Sequence, residues 1–215
     1  MNLKEQLKEF DLHIKLKDVE ENDKEDKLVE IFQEIAQKIL SGHFLVKNKK
    51  DEKLYVKIHP TCIEIYCHEE DGDIKDPIVY HRNYHEGNWE KQVFPLGLLH
   101  NHISGIDITF EKGDNNNAIR LSALIREFKV DDNHNGSKYE HYEGMYKPKN
   151  SKWNKGDIIN KPTYLYEALY SQFSIFDGFS IEWVDGEKLL PVISNERVNV
   201  AEYEFMDEKY QKNKM

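Results

Sequence analysis

A single arginine interrupts a strand-like run: Leu121-Ser122-Ala123-Leu124-Ile125-Arg126-Glu127-Phe128-Lys129-Val130. The apolar and β-branched content of the run predicts a strand with a buried face. A guanidinium stays protonated and must find acceptors. Wherever this strand lies, an acceptor has to stand beside Arg126. Two roles suit it: pairing with a core carboxylate, or orienting a catalytic carboxylate or water.

The neighbouring segments extend the pattern. Gly105-Ile106-Asp107-Ile108-Thr109-Phe110 reads as a second strand, and Gly113-Asp114-Asn115-Asn116-Asn117 as the turn of a hairpin between the two. Upstream, Leu54 to Ile58 alternates, and Cys62 to Cys67 is rich in β-branched and aromatic residues. Phe179 to Val184 and Arg197 to Val200 are the closing strands, with Asp185-Gly186 as a turn after the first.

One amphipathic helix is legible ahead of the strands. Leu28, Ile31, Phe32, Ile35, Ala36, Ile39 and Leu40 recur at helical spacing, with Asp23 as N-cap and Gly42 as stop. Pro162 starts a second, short helix with Leu165, Leu169 and Phe173 on one face. Helices before and between hairpin-linked strands predict an α+β fold. Its expected form is a single domain over residues 1–205, a mixed, largely antiparallel curved sheet flanked by helices, with residues 206–215 as a frayed tail. The length of 215 residues suits one such domain, and 12% aromatic residues argue against wholesale disorder.

Charge narrows the function classes. The net charge of -10 disfavours a generic nucleic-acid coat, but it is unevenly spread. Residues 1–30 hold six Lys against ten acids, whereas residues 138–161 hold six Lys against three. This second segment interleaves Lys147, Lys149, Lys152, Trp153 and Lys155, residues suited to tracking phosphates and stacking on bases. It reads as a basic surface insertion and the expected nucleic-acid contact. No apolar run reaches the ~20 residues of a membrane span, and the charged N-terminus is no secretory signal. The two cysteines, Cys62 and Cys67, make no disulfide framework. A monomeric cytoplasmic protein without membrane contact is the expectation.

Three groups of residues suit chemistry. On a strand, Glu64, Tyr66 and His68 share one face while Ile63, Ile65 and Cys67 share the other. A carboxylate, a phenol and an imidazole on one face suit general acid–base work. His81, Arg82 and Asn83 follow a short apolar run and offer further hydrogen-bonding groups. His100, His102 and Asp107 form an H-x-H with a distant carboxylate, a weak metal pattern that also fits ordinary strand histidines. No metal and no cofactor are expected.

In chain order these pieces resemble the alkyladenine (3-methyladenine) DNA glycosylase family. Ala36 to Val46, AQKILSGHFLV, is similar to the family's A-x-x-L-L-G-x-x-L-V, with one extra residue before the glycine. Glu64-Ile65-Tyr66 matches its E-A-Y. His81-Arg82-Asn83 stands for its pocket His and R-N pair, at longer spacing. Ser104-Gly105-Ile106 corresponds to Y-G-M, and Leu124-Ile125-Arg126-Glu127 to L-L-R-A. Leu165-Tyr166-Glu167-Ala168-Leu169 and Trp183-Val184-Asp185-Gly186 match its late helix and acidic turn, and Glu196-Arg197-Val198-Asn199 its closing P-R-I-G. Ser104 stands where the family wedges a tyrosine into the duplex, and Ile108-Thr109-Phe110 where it has C-x-N.

The resemblance implies a monofunctional N-glycosylase that releases an alkylated purine in base excision repair. Glu64 would activate water and Arg126 would orient it. Tyr66, His68, His81, Asn83, Ser104 and Gly105 would line the base pocket, and the partner would be DNA carrying damaged bases. A binding module on the same scaffold without catalysis is the alternative, and a metal-dependent hydrolase using His100, His102 and Asp107 a third.

Overall fold

The computed structural model describes residues 7, 10, 19–20, 23–69, 74, 76, 93–111, 119–132, 158–186 and 191–194. Helix α1 spans Lys24–Ser41 and turns Leu28, Ile31, Ile35, Ala36 and Ile39 inward, as its spacing predicts. Asp23 holds the N-cap position without a side-chain cap bond, and the Gly42 N–H closes the helix on the Lys38 carbonyl at 3.3 Å. Gly42 is required for a second reason. A Cβ there would stand 2.3 Å from Cζ2 of Trp183 and 2.9 Å from the Val184 carbonyl.

The chain then makes β1 (His43–Asn48), β2 (Tyr55–Glu69), β3 (Leu99–His102), β4 (Gly105–Thr109), β5 (Ile119–Asp132), the two-residue β6 (Ile158–Ile159) and β7 (Phe179–Val184). Between β6 and β7 a 3-10 turn, Pro162–Tyr164, leads into helix α2, Leu165–Tyr170. The strands form one sheet in the order β3-β4-β5-β2-β1-β7, with β6 beside β5. Every pairing among the described strands is antiparallel, so the mixed sheet expected from sequence is here a purely antiparallel one.

One face of the sheet carries the core. Phe44, Val46, Val56, Ile58, Cys67, Ile106, Ile108, Leu121, Ala123, Ile125, Phe128 and Val130 pack with Ile31, Ile35 and Ile39 of α1, and with Leu165, Ala168, Leu169 and Phe173. Each aliphatic side chain so buried contributes roughly 1.5–3 kcal/mol.

The β2–β5 ladder has a defect that decides where the other face's polar groups point. Pairing runs Pro60 with Phe128, Cys62 with Glu127, then Ile63 with Ile125. Thr61 and Arg126 are left without a register partner. An extra residue on each strand inverts the side-chain alternation. Even-numbered Val56 and Ile58 face the core before the bulge, and odd-numbered Ile63, Ile65 and Cys67 after it. Glu64, Tyr66 and His68 therefore lie opposite the core, as their alternation predicts.

Three strands were not legible beforehand: β1, β3 and the two-residue β6, which falls inside the segment 138–161 read as a basic surface insertion. β1 follows α1 after one residue, just past the Gly42 read as the helix stop. β3 occupies the histidine-containing stretch read for metal chemistry. The expected strands 54–58 and 62–67 are one continuous strand carrying Pro60 at its bulge. The expected closing strand at 197–200, the basic insertion 138–157 and the tail 206–215 lie outside the described residues. No described helix is long and apolar enough to cross a membrane.

Candidate active site

Glu64 is at the centre of the polar face. The Tyr66 hydroxyl donates to its Oε2 at 2.6 Å. Nε of Arg126 stands 3.4 Å from its Oε1. The alternation of β2 brings Glu64 and Tyr66 to the same side two residues apart. The bulge brings Arg126: it pairs with nothing on β2, so its side chain is free to lean diagonally toward Glu64, which sits opposite Leu124. The Glu64 side chain is 17% exposed, so solvent reaches a carboxylate with a hydroxyl donor on one oxygen and a guanidinium beside the other.

Further along the face the groups become buried. His68 is 2% exposed, and its Nδ1 accepts the Asp76 N–H at 3.0 Å. Arg120 and Glu111 form an ion pair at 3.3 Å with both side chains fully enclosed. The Phe94 N–H also donates to Glu111 Oε2. This pair stands at the turn end of the β4–β5 hairpin, where charges without partners would be very costly.

Across β5 lies a second polar cluster. Leu124 pairs with Glu64 on β2 and with Asp107 on β4. The two carboxylate-bearing backbones are therefore two strand spacings apart, about 9–10 Å. Asp107 contacts His102, with Nε2 to Oδ2 at 2.6 Å, and accepts from the Ser122 hydroxyl at 3.4 Å. The Ser104 N–H donates to Nδ1 of His102 at 3.3 Å, which leaves the imidazole proton on Nε2, facing Asp107. His100 stacks between Phe94 and His102. The order is serine–aspartate–histidine, with the serine on the carboxylate rather than the imidazole, so it is no nucleophile triad. Nor do His100, His102 and Asp107 form a ligand set; no group of three or more His, Cys, Asp or Glu among the described residues is arranged to hold a metal.

The β3–β4 hairpin is tied down from α2. The Tyr166 hydroxyl reaches the carbonyls of His102 at 2.8 Å and Gly105 at 3.1 Å. Burial raises the pKa of that phenol, with Tyr170 adding to the shift. Gly105 has φ +144°, and a Cβ there would meet Pro162 at 2.9 Å and Leu124 at 3.1 Å. Its freedom serves the close packing of the 3-10 turn on the sheet.

Of the residues singled out by sequence, the structure brings Glu64, Tyr66 and Arg126 together. His68 shares their face in a buried position. Ser104 and Gly105 belong to the hairpin on the far side of β5. His81, Asn83, Lys147, Lys149, Lys152, Trp153 and Lys155 lie outside the described residues. Sequence reasoning missed Glu111, Arg120 and Ser122. Arg120 follows the same signal as Arg126, a guanidinium on an apolar strand, but it sits beside a turn and reads there as solvent-facing.

A separate groove of about 640 Å³ opens at the other end of the sheet, lined by His43, Leu45, Lys47, Tyr55, Lys57 and Val184 among others. There His43 and His59 stack with ring centres 4.9 Å apart. Burial lowers the His43 pKa to about 4, helped by His59 and Lys57. Burial lowers His59 too, against the opposing pull of Asp131. Burial pushes the Cys67 thiol up, so that sulfur is no nucleophile near neutral pH.

No family model, curated protein or solved structure matches this chain.

Proposed function

We propose that the chain is an N-glycosylase that hydrolyses the bond between an alkylated purine and deoxyribose, without metal or cofactor, on the scaffold of the alkyladenine DNA glycosylases. The observation that supports this reading is the Arg126–Glu64 ion pair at 3.4 Å. The two residues come from separate motifs of the resemblance, E-I-Y and L-I-R-E, and they meet on a partly open polar face.

The chemistry asked of the pair is modest. A water oxygen bonds to the sugar C1′ while Glu64 takes one of the water's protons. The C1′–N bond breaks and its electron pair leaves with the base. A purine made cationic by alkylation departs neutral, so no acid is needed at the leaving group. The protein supplies position and a proton acceptor. Damaged bases also unpair at lower cost, which favours an extruded base. The partner would be DNA, with the basic segment 138–161 as its contact, and the site of action cytoplasmic. Incubating the protein with methylated DNA and measuring free methylated purine tests the proposal. Release above the spontaneous rate is expected; a rate equal to that of DNA alone would refute it.

A further inference from the structure

We propose that Tyr66 is a positioning residue for Glu64 rather than part of the wall that receives the base. This deepens the hydrolase reading and rests on it for its kinetic arm. Tyr66 is 9% exposed, so little of its surface can meet a ligand. Its hydroxyl is committed to Glu64 Oε2 at 2.6 Å, within the short range of an O–H donor on a charged acceptor. Both groups ride on β2 two residues apart, so the bond is fixed by one strand and needs no partner from elsewhere.

Arg126 complements it from β5, on the other oxygen. The hydroxyl bond on one oxygen and the guanidinium beside the other restrict the carboxylate's rotation. Because a carboxylate oxygen has two acceptor sites, each still has a lone pair for water. Arg126 supplies charge and Tyr66 supplies direction.

The substitution Tyr66→Phe keeps the ring and deletes only the bond. Two measurements read it. In a carbon-13 NMR spectrum recorded at neutral pH, the resonance of the Glu64 side-chain carboxyl should move in Tyr66→Phe relative to wild type, because its hydroxyl donor is gone. An unmoved resonance would overturn the proposal. In single-turnover excision from a duplex oligonucleotide with one alkylated purine, the maximal rate should fall about tenfold or more while the DNA Kd is unchanged. A weakened Kd at an unchanged maximal rate would place the hydroxyl on the substrate and overturn it equally. Wild type that excises nothing while the carboxyl resonance still moves would refute the hydrolase reading alone, and the hold of Tyr66 on Glu64 would stand.

Discussion

Arg126 reaches Glu64 across a break in the strand ladder that pairs with neither its own residue nor Thr61. Had the register run on unbroken, Arg126 would have kept a partner on β2 and its lean toward Glu64 would lack a cause. The bulge is thus part of the site. Arg126→Ala should lower single-turnover excision by about 10–100-fold. It should change the unfolding free energy by less than about 1 kcal/mol, because the Arg126 side chain is 40% exposed and the pair partly screened. Parallel excision and urea-denaturation measurements check both halves; a loss of activity matched by a large loss of stability would contradict the assignment.

The enclosed pair Glu111–Arg120 should behave in the opposite way. Removing one partner, as in Arg120→Leu, takes the guanidinium away from a buried carboxylate and should cost about 3–5 kcal/mol. The double substitution Glu111→Leu with Arg120→Leu should cost much less. Denaturant midpoints of the two single variants and the double variant decide this, and additive losses would refute it.

Gly42 is predicted to tolerate no side chain. Its Cβ would press on the indole of Trp183 and on the Val184 carbonyl, which belongs to the backbone and cannot rotate away. Gly42→Ala should destabilise by about 2–3 kcal/mol, visible as a lowered thermal midpoint. An unchanged midpoint would show that the α1–β1 junction yields more easily than its packing implies.

Stability should also depend on pH through the stacked imidazoles. Both His43 and His59 have lowered pKa values in the folded chain, His43 to about 4 against an ordinary 6.5. Between those values the unfolded chain binds more protons, so stability rises with pH there. It should be fully present above about pH 6.5 and decline as pH falls toward 4. Thermal midpoints of wild type and His43→Gln across that range test it: the variant's curve should be flatter, and parallel curves would contradict the effect.

The sequence showed α1, β4, β5, β7 and the turn into α2 because each carries its own period. It concealed β1, whose two buried apolar residues, Phe44 and Val46, are too few to stand apart from the helix before them. Pro60 split β2 in the reading, since proline normally interrupts a ladder; the bulge beside it is what allows it to remain in the strand. Glu64, Tyr66 and Arg126 were legible as types and as alternation. Their meeting was not, because the bulge that aims Arg126 leaves no local signature. The pairs Glu111–Arg120 and His102–Asp107 depend on hairpin register, which one strand's sequence does not specify.

The central claim is that Glu64 takes the proton from the attacking water. Its most direct test is single-turnover excision by Glu64→Gln on a duplex oligonucleotide with one alkylated purine. The amide keeps the side chain's size and an acceptor oxygen, so the fold and DNA affinity should be preserved. The account predicts that excision falls by at least about 100-fold while the thermal midpoint and Kd stay near wild type. Excision at the wild-type rate would contradict it.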